Sequence, residues 1–277
     1  MTGRVADGRP GVGQDDRSDA EGRGGPDVLV ALAVVLLVVA LVPPLSTKAR
    51  TVEALEALQF ALLALAVPAL AVLGAPWRRL GLAAPPSARV DAEGVTVPER
   101  AGVADRVAAA RRRHRHMGRS VSYVLAEAVV VVAWRVPASV DGLARHGWLS
   151  AVEAVTLVPA GIGLWLELVG SSPFAPRLDP PRRMAVAAVS MWVIWVTAYV
   201  VGLSHGAVYT AFSHSAGRGL SASADQAVTT GVLWLASLCA FVPVVFTTLM
   251  AWLRADHDHD HDDALYRLVR DEHRAAG

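Results

Sequence analysis

The sequence predicts an all-α, polytopic membrane protein, a bundle of six transmembrane helices with both termini on the cytoplasmic side. Of its 277 residues, 53% are hydrophobic and 18% are charged, whereas about a quarter of the residues in a soluble domain are charged. The apolar residues are concentrated in stretches of about 18 to 27 residues that lack the polar face of a soluble amphipathic helix. The basic residues are divided unequally between alternate loops. Together these observations exclude a soluble globular enzyme.

Six apolar stretches are long enough to cross a membrane, because a hydrocarbon core of about 30 Å takes about 20 helical residues. They cover residues 28–45, 54–74, 121–140, 149–169, 184–203 and 227–253. Each stretch can satisfy its backbone hydrogen bonds within its own helix, as lipid requires. We therefore expect a disordered cytoplasmic arm at 1–26, rich in Gly, Asp and Arg, one membrane domain at 27–254, and a cytoplasmic tail at 255–277.

The basic residues predict the orientation of the bundle. The N-terminal arm, the loop at 77–120, the loop around Pro180 and the C-terminal tail together hold 21 Lys and Arg residues, the opposite loops hold 4, and Arg135 lies within the third stretch. Cytoplasmic loops carry the excess of Lys and Arg, so the termini and the two basic loops are predicted to be cytoplasmic. We expect a multi-pass protein of a bacterial inner (plasma) membrane, with the lipid bilayer as its surroundings.

The cytoplasmic loop carries a basic segment at 99–118 with two interpretations. The segment includes a run of arginine and histidine at 111–116, preceded by apolar Val103 and Val107. One interpretation is an amphipathic helix lying on the anionic inner leaflet, and the other is a charge cluster that only sets the topology. No aromatic residue interleaves the arginines, so nucleic-acid binding is not expected.

Polar residues at the ends of the stretches gather at the predicted outer face. This group comprises Glu53, Glu56, Arg135, Asp141, Glu153, His205, Tyr209, Asp225 and Gln226. Ionisable residues in a membrane are costly and mark functional sites by default. One hypothesis is a structural ion pair of Arg135 with Glu56 or Glu153; the other is an outward-facing cleft for a ligand or metal. Glu127 and Glu167, in the inner halves of their stretches, are interpreted as helix-packing or snorkelling residues.

The C-terminal tail is a candidate metal tract on the other side of the membrane. His257, His259 and His261 alternate with aspartates, and imidazole and carboxylate groups suit zinc, nickel or copper(II). The spacing defines no tetrahedral site, so a solvated tail is the alternative. Cys239 is the only cysteine, which excludes an intrachain disulfide and a thiolate metal cluster.

Short motifs in the stretches, taken in order, resemble the multi-spanning CtaG-type cytochrome c oxidase assembly factors. The second stretch closes on Pro-x-Leu-x-x-Leu-Gly-Ala-Pro, residues 68–76. Further similar segments are Trp134-Arg135-Val136-Pro137, against Trp-His-x-Pro in the family, then 161–165, 204–209, and Asp225-Gln226 with Gly231 and Trp234. The resemblance covers residues 53–254, and it rests on the order and placement of the motifs.

The resemblance implies copper handling at the outer face during assembly of a haem-copper oxidase, but the histidines of the family are replaced here. Two of them fall on Glu56 and Phe60, a third on Arg135, and those that open the fourth stretch fall near Ser150 and Ala154. Arginine is donor-only and always protonated, so it cannot ligate a metal. The remaining outer histidines, His146, His205 and His214, could form only a rearranged, weaker site.

The expected function is that of a membrane scaffold that assists oxidase biogenesis, with oxidase subunits as candidate partners and copper as a candidate ligand. The resident cofactor is unknown. No nucleophile, base and orienting group occur together, so an enzyme is not expected. Two alternatives stay open. One is a small-molecule or ion transporter, although no inverted repeat with paired broken helices is visible; the other is a divergent paralogue with an ion-paired site in place of the metal site.

Overall fold

The computed structural model describes residues 15–83, 89–90, 96–97, 102–113, 117–204, 208–213 and 221–275; for 15–25, 79, 89–90, 96–97, 112–113, 117–119 and 256–275 the description is of the backbone. Nearly all of these residues are helical. The helices are α1 (Asp15–Leu41), α2 (Leu45–Lys48), α3 (Glu53–Ala61), a π-helical turn (Leu62–Ala66), α4 (Val67–Gly74), α5 (Pro76–Arg79), α6 (Val103–Arg113), α7 (Met117–Arg135), α8 (Pro137–Arg145), α9 (Leu149–Leu168), α10 (Pro180–Gly202), a 3-10 turn (Thr210–Phe212) and α11 (Ala222–Ala275). Two antiparallel two-residue strands, β1 (Arg89–Val90) and β2 (Thr96–Val97), complete them.

The predicted all-helical membrane fold is confirmed. Four helical segments are long and apolar enough to cross a bilayer: Glu53–Gly74, Leu149–Leu168, Pro180–Gly202 and Ala222–Ala255. The large apolar side chains that they leave exposed include Val200 at 68% and Leu235 at 63%. Side chains of this kind, spread along helices, fit contact with lipid rather than water.

The predicted third span is broken, which corrects the expectation of one continuous helix over 121–140. Ser120–Arg135 and Pro137–Arg145 are separate helices bent by 63°. Pro137 has no backbone N–H, and a residue before proline is driven out of the α region. Val136 accordingly adopts φ −68° and ψ 147°. The break places Arg135 at the C-terminal end of α7, and a fifth span results if the bent pair crosses the membrane together.

The first predicted span is shorter than expected. Its apolar helical part is Pro26–Leu41, which at about 1.5 Å per residue reaches about 24 Å of a core about 30 Å thick. Pro43 and Pro44 follow after Val42 and prevent the helix from continuing. The six-span count with both termini cytoplasmic therefore stays a prediction.

Helix α1 begins at Asp15, within the predicted disordered arm, and residues 1–14 lie outside the described part.

The predicted tail boundary at 255 does not coincide with the end of a helix. The backbone of α11 continues to Ala275, so the tail residues are helical at 256–275. His257, His259 and His261 lie on this extension, and their side chains are outside the description. The metal tract stays a prediction.

Close packing of α4 against α9 sets the depth of the two helices relative to each other. A Cβ at Gly161 of α9 would lie 2.6 Å from Pro68 Cγ and 3.0 Å from the Ala64 carbonyl oxygen. Only glycine therefore permits this approach, as small residues generally do between membrane helices. The contact keeps the N-terminal half of α9, which carries Glu153, beside the helix that carries Glu56.

We expect Gly161→Ala to lower the free energy of unfolding by about 1–3 kcal/mol, because the added methyl group overpacks the contact with Pro68. The matched control is Gly231→Ala in α11, where a Cβ meets no atom within 4 Å and the change should be within about 1 kcal/mol and favourable. Thermal unfolding of the purified protein in detergent measures both. Equal effects of the two substitutions would contradict the packing role of Gly161.

Aromatic side chains fix α11 against its neighbours. The rings of Trp195 in α10 and Trp234 in α11 stack at 4.6 Å between centroids, and those of Trp165 in α9 and Phe241 in α11 stack at 5.7 Å. The Trp195 indole N–H donates to Ser237 Oγ at 2.8 Å. These contacts fix α11 against α9 and α10, and the N-terminal end of α11, with Asp225, contacts α3.

Candidate functional site

A buried ion pair forms the centre of the candidate site. Arg135 Nη1 donates to Glu56 Oε2 at 2.6 Å. The side chain of Arg135 is 1% exposed and that of Glu56 is 5% exposed. The guanidinium also lies over the ring of Phe60, with 5.2 Å from Cζ to the ring centroid. Of the two ion pairs predicted for Arg135, only the one with Glu56 is within contact distance among the described residues.

Tyr209 covers the arginine from the loop between α10 and α11. Arg135 Nη2 donates to the Tyr209 hydroxyl oxygen at 3.3 Å, and that hydroxyl donates to the Arg135 carbonyl oxygen at 3.1 Å. The carbonyl is free of intrahelical bonds because α7 ends there. Burial raises the pKa of Tyr209 to about 12, so the phenol keeps the proton that it donates.

Asp141 of α8 holds the segment that carries Tyr209. Its carboxylate accepts hydrogen bonds from Thr210 Oγ1 at 2.6 Å and from the Ala211 N–H at 2.9 Å. Arg50 in turn anchors the end of α8, since its guanidinium donates to the carbonyl oxygens of Ala144 and Arg145 at 3.2 Å each. The break before Pro137 and these bonds together place residues 208–213 over Arg135.

Asp225 and Gln226 position the helix ends around the pair. The Asp225 carboxylate accepts hydrogen bonds from the backbone N–H groups of Glu53 and Ala54 at 2.9 and 3.1 Å. A side chain of α11 thus caps the N-terminus of α3, whose own N-cap, Val52, has no capping side chain. Gln226 Nε2 donates to Ser204 Oγ at 2.8 Å and to the Val201 carbonyl oxygen, which ties α11 to the end of α10.

Glu53 and Glu153 complete what we call the Arg135 cluster: Glu53, Glu56, Arg135, Glu153 and Tyr209, each at most 4% exposed. Glu153 interacts electrostatically with both Arg135 and Glu56. The Oε1 atoms of all three glutamates, and Nε of Arg135, are buried and have no hydrogen-bond partner among the described residues.

The charges of the cluster are unbalanced, since three carboxyl groups face one guanidinium. Full ionisation would leave two negative charges buried without compensation, which is strongly unfavourable in a low-dielectric environment.

The donor set does not fit copper. Within the described part of the chain, no three His, Cys, Asp or Glu residues are grouped so that they could hold a metal ion. At the centre, Arg135 offers only N–H donors and is already bonded to Glu56. His146 is described and exposed, whereas His205 and His214 lie outside the described residues. The histidine site on the outer face thus stays a prediction.

A second buried cluster, at the opposite ends of the helices, includes residues that the sequence analysis did not select. Glu167 of α9, fully buried, accepts hydrogen bonds from Arg111 Nη2 at 2.8 Å, Ser120 Oγ at 3.0 Å and Arg177 Nε at 3.0 Å. Glu167 is a packing residue, as expected, but its partners lie 56, 47 and 10 positions away in the chain. The density of arginines near these positions was the only feature of the sequence that pointed to this cluster.

Glu127 differs from the other buried acids. It is 2% exposed in the middle of α7, and neither of its carboxyl oxygens has a hydrogen-bond partner among the residues that the structure describes. The expectation that it packs between helices fits its burial, but no contact in the described residues stabilises a negative charge there.

The family model of the cytochrome c oxidase caa3 assembly factor (Caa3_CtaG) matches residues 19–255. No curated protein and no solved structure matches the chain.

Proposed function

Because this chain belongs to the cytochrome c oxidase caa3 assembly factor family, we propose that it assists the biogenesis of a haem-copper respiratory oxidase as a membrane-embedded scaffold and not as an enzyme. The helices long enough to cross a membrane support a role within the bilayer. The proposed partners are oxidase subunits, which would meet the protein at the face of the bundle that carries the Arg135 cluster.

The preference for an ion-paired centre rests on one observation, the buried pair of Arg135 and Glu56 under Tyr209. The pair joins α3, α7 and the segment 208–213. Its loss would therefore let these elements separate and would disrupt the surface that they form. A permanent guanidinium occupies the place where the resemblance puts a metal-binding histidine. We therefore favour a divergent member with an ion-paired centre over copper handling at this cluster.

The proposal includes a location. With the basic loops cytoplasmic, the chain is a multi-pass protein of a bacterial plasma membrane, and the Arg135 cluster lies at the outer ends of the spans. The cluster would then face the compartment in which the outer domains of oxidase subunits are completed, while Glu167 lies at the cytoplasmic end.

The test is genetic complementation. Deletion of the gene should lower the haem-copper oxidase content of the membrane, measured by reduced-minus-oxidised haem spectra. Wild type and Arg145→Gln, whose arginine side chain is 66% exposed, should restore the content, and Arg135→Gln should leave it near the level of the deletion strain. Unchanged oxidase content in the deletion strain would overturn the proposal. An immunoblot of each variant separates loss of function from loss of the protein.

Glu127 favours one competing function, ion transport. An ionisable side chain inside a membrane helix marks an ion or proton pathway by default, and Glu127 is buried with no hydrogen-bond partner for its carboxyl group in the described part of the chain. A transporter would carry proton or ion flux across proteoliposomes that Glu127→Gln or Arg135→Ala abolishes, and it would leave oxidase content unchanged when deleted.

A further inference from the structure

Helix α6 packs against the ends of the membrane helices that carry Glu167. Its first turn is fixed by the Ala104 N–H, which donates to the Leu82 carbonyl oxygen at 2.7 Å, and by Asp105, whose carboxylate accepts the Gly102 N–H at 2.9 Å. A Cβ at Gly102 would lie 2.1 Å from the Leu82 oxygen, so this approach requires glycine. The chain thus places α6 against the bundle.

The two sides of α6 differ in what they contact. Ala104 and Ala108 are buried against the protein, at 6% and 2% exposure, whereas Val103 and Val107 are 50% and 48% exposed. Val103 and Val107 are four residues apart and therefore adjacent on one helix face. An exposed apolar row beside basic residues is typical of a helix that lies in the interface of a membrane.

At its C-terminal end, α6 brings a second arginine to Glu167. Arg111 and Arg177 both bond to Glu167 Oε1, and their side chains are 13% and 7% exposed. The ring of Tyr123 lies against both guanidiniums, with 5.7 and 5.6 Å from Cζ to the centroid. The two cations are thus held side by side in a partly desolvated position.

This site carries one positive charge that no described residue balances. Among the described residues, Glu167 is the only carboxylate within ion-pair distance of either arginine. Burial lowers the pKa of Arg111, and the charge of Arg177 adds to that shift while Glu167 opposes it. Two guanidiniums that repel each other beside a single carboxylate favour an additional anion.

We propose that Arg111 and Arg177 form a binding site for the phosphate of an anionic phospholipid, whose acyl chains lie along the exposed row of Val103 and Val107. Arginine pairs recognise phosphate through several charge-assisted hydrogen bonds. Basic pockets on the cytoplasmic side of membrane proteins bind acidic headgroups. The exposed apolar row on the helix that carries Arg111 selects a lipid over a free phosphate ion, which has no acyl chain to bury.

The experiment titrates the purified full-length protein, in detergent micelles, with phosphatidylglycerol and with phosphatidylcholine, and reads bound lipid by native mass spectrometry. The parent should retain phosphatidylglycerol in preference to phosphatidylcholine. Arg111→Gln and Arg177→Gln should each weaken that retention about fivefold, because each removes charge-assisted hydrogen bonds to the phosphate. The exposed controls Arg106→Gln and Arg182→Gln should retain the lipid as the parent does.

Glu167→Gln distinguishes an effect on lipid binding from an effect on folding, because the substitution should change the two in opposite directions. Removal of the competing carboxylate should strengthen phosphatidylglycerol binding, even if the lipid-free variant unfolds at a lower temperature. Three results would each overturn the proposal. The parent could retain both lipids equally, or the Arg111 and Arg177 variants could lose no more phosphatidylglycerol than the control variants. Inorganic phosphate could also compete with phosphatidylglycerol at concentrations similar to those of the lipid itself.

Discussion

Replacing Arg135 by glutamine is expected to lower the free energy of unfolding by about 3–5 kcal/mol, as is typical when one partner of a buried ion pair is removed. Glu56 would lose its 2.6 Å partner while still buried beside Glu53 and Glu153. Tyr209 would lose the donor of one hydrogen bond and the cation that faces its ring. Thermal or denaturant unfolding in detergent micelles measures the loss.

Two further variants identify the cause of that loss. The double substitution Arg135→Gln with Glu56→Gln removes both charges of the pair, so it should recover most of the stability and give a clear coupling energy in the double-mutant cycle. Arg145→Gln removes a side chain that is 66% exposed and should cost less than about 1 kcal/mol. Additive effects at 135 and 56 would show that the pair is not the stabilising unit.

The helices could be predicted from apolar length, but their ends depend on single prolines. The second, fourth and fifth stretches agree with described helical segments to within a few residues, and the sixth lies within α11, which continues past it to Ala275. Counting apolar residues treats Pro43 and Pro137 as part of a span, whereas the missing N–H and the restriction on the preceding residue end a helix before each of them. This is why α1 ends at Leu41 and why the third span bends after Arg135.

The candidate site was predictable as a location but not as a set of contacts. Positive-inside orientation places Glu56, Arg135 and Glu153 at the same depth, and this makes an ion pair reasonable. The sequence cannot distinguish Glu56 from Glu153 as the partner, because that choice depends on how α3, α7 and α9 are rotated about their axes. Nor does it place Tyr209, which reaches Arg135 from a loop held by Asp141 through tertiary contacts.

The contacts of Arg135 also indicate which positions would have to carry histidine in a metal-binding variant. Residues 56 and 60 are four apart on α3 and share a helix face. Arg135 reaches both of them, with 2.6 Å to the Glu56 carboxylate and 5.2 Å to the Phe60 ring. Side chains at these three positions therefore converge on one point. They are the positions where the resemblance places histidines, and three imidazoles suit copper.

We expect the triple variant Glu56→His, Phe60→His, Arg135→His to bind stoichiometric copper, in a background where His257, His259 and His261 are replaced by alanine. The parent in the same background should bind little, because its cluster holds a guanidinium at the site. Metal analysis after gel filtration measures the copper, and nitrogen hyperfine structure in the copper(II) EPR spectrum identifies imidazole ligands.

A control that keeps Arg135 makes the comparison decisive. Glu56→His with Phe60→His supplies two imidazoles but leaves the permanent cation beside them, so copper binding should stay near the level of the parent. If the triple variant folds, as judged by thermal unfolding, and still binds no copper, then the three positions do not have the geometry of a metal site. The ion pair would in that case be a feature of this chain's own architecture, and not a substitution made within an inherited metal centre.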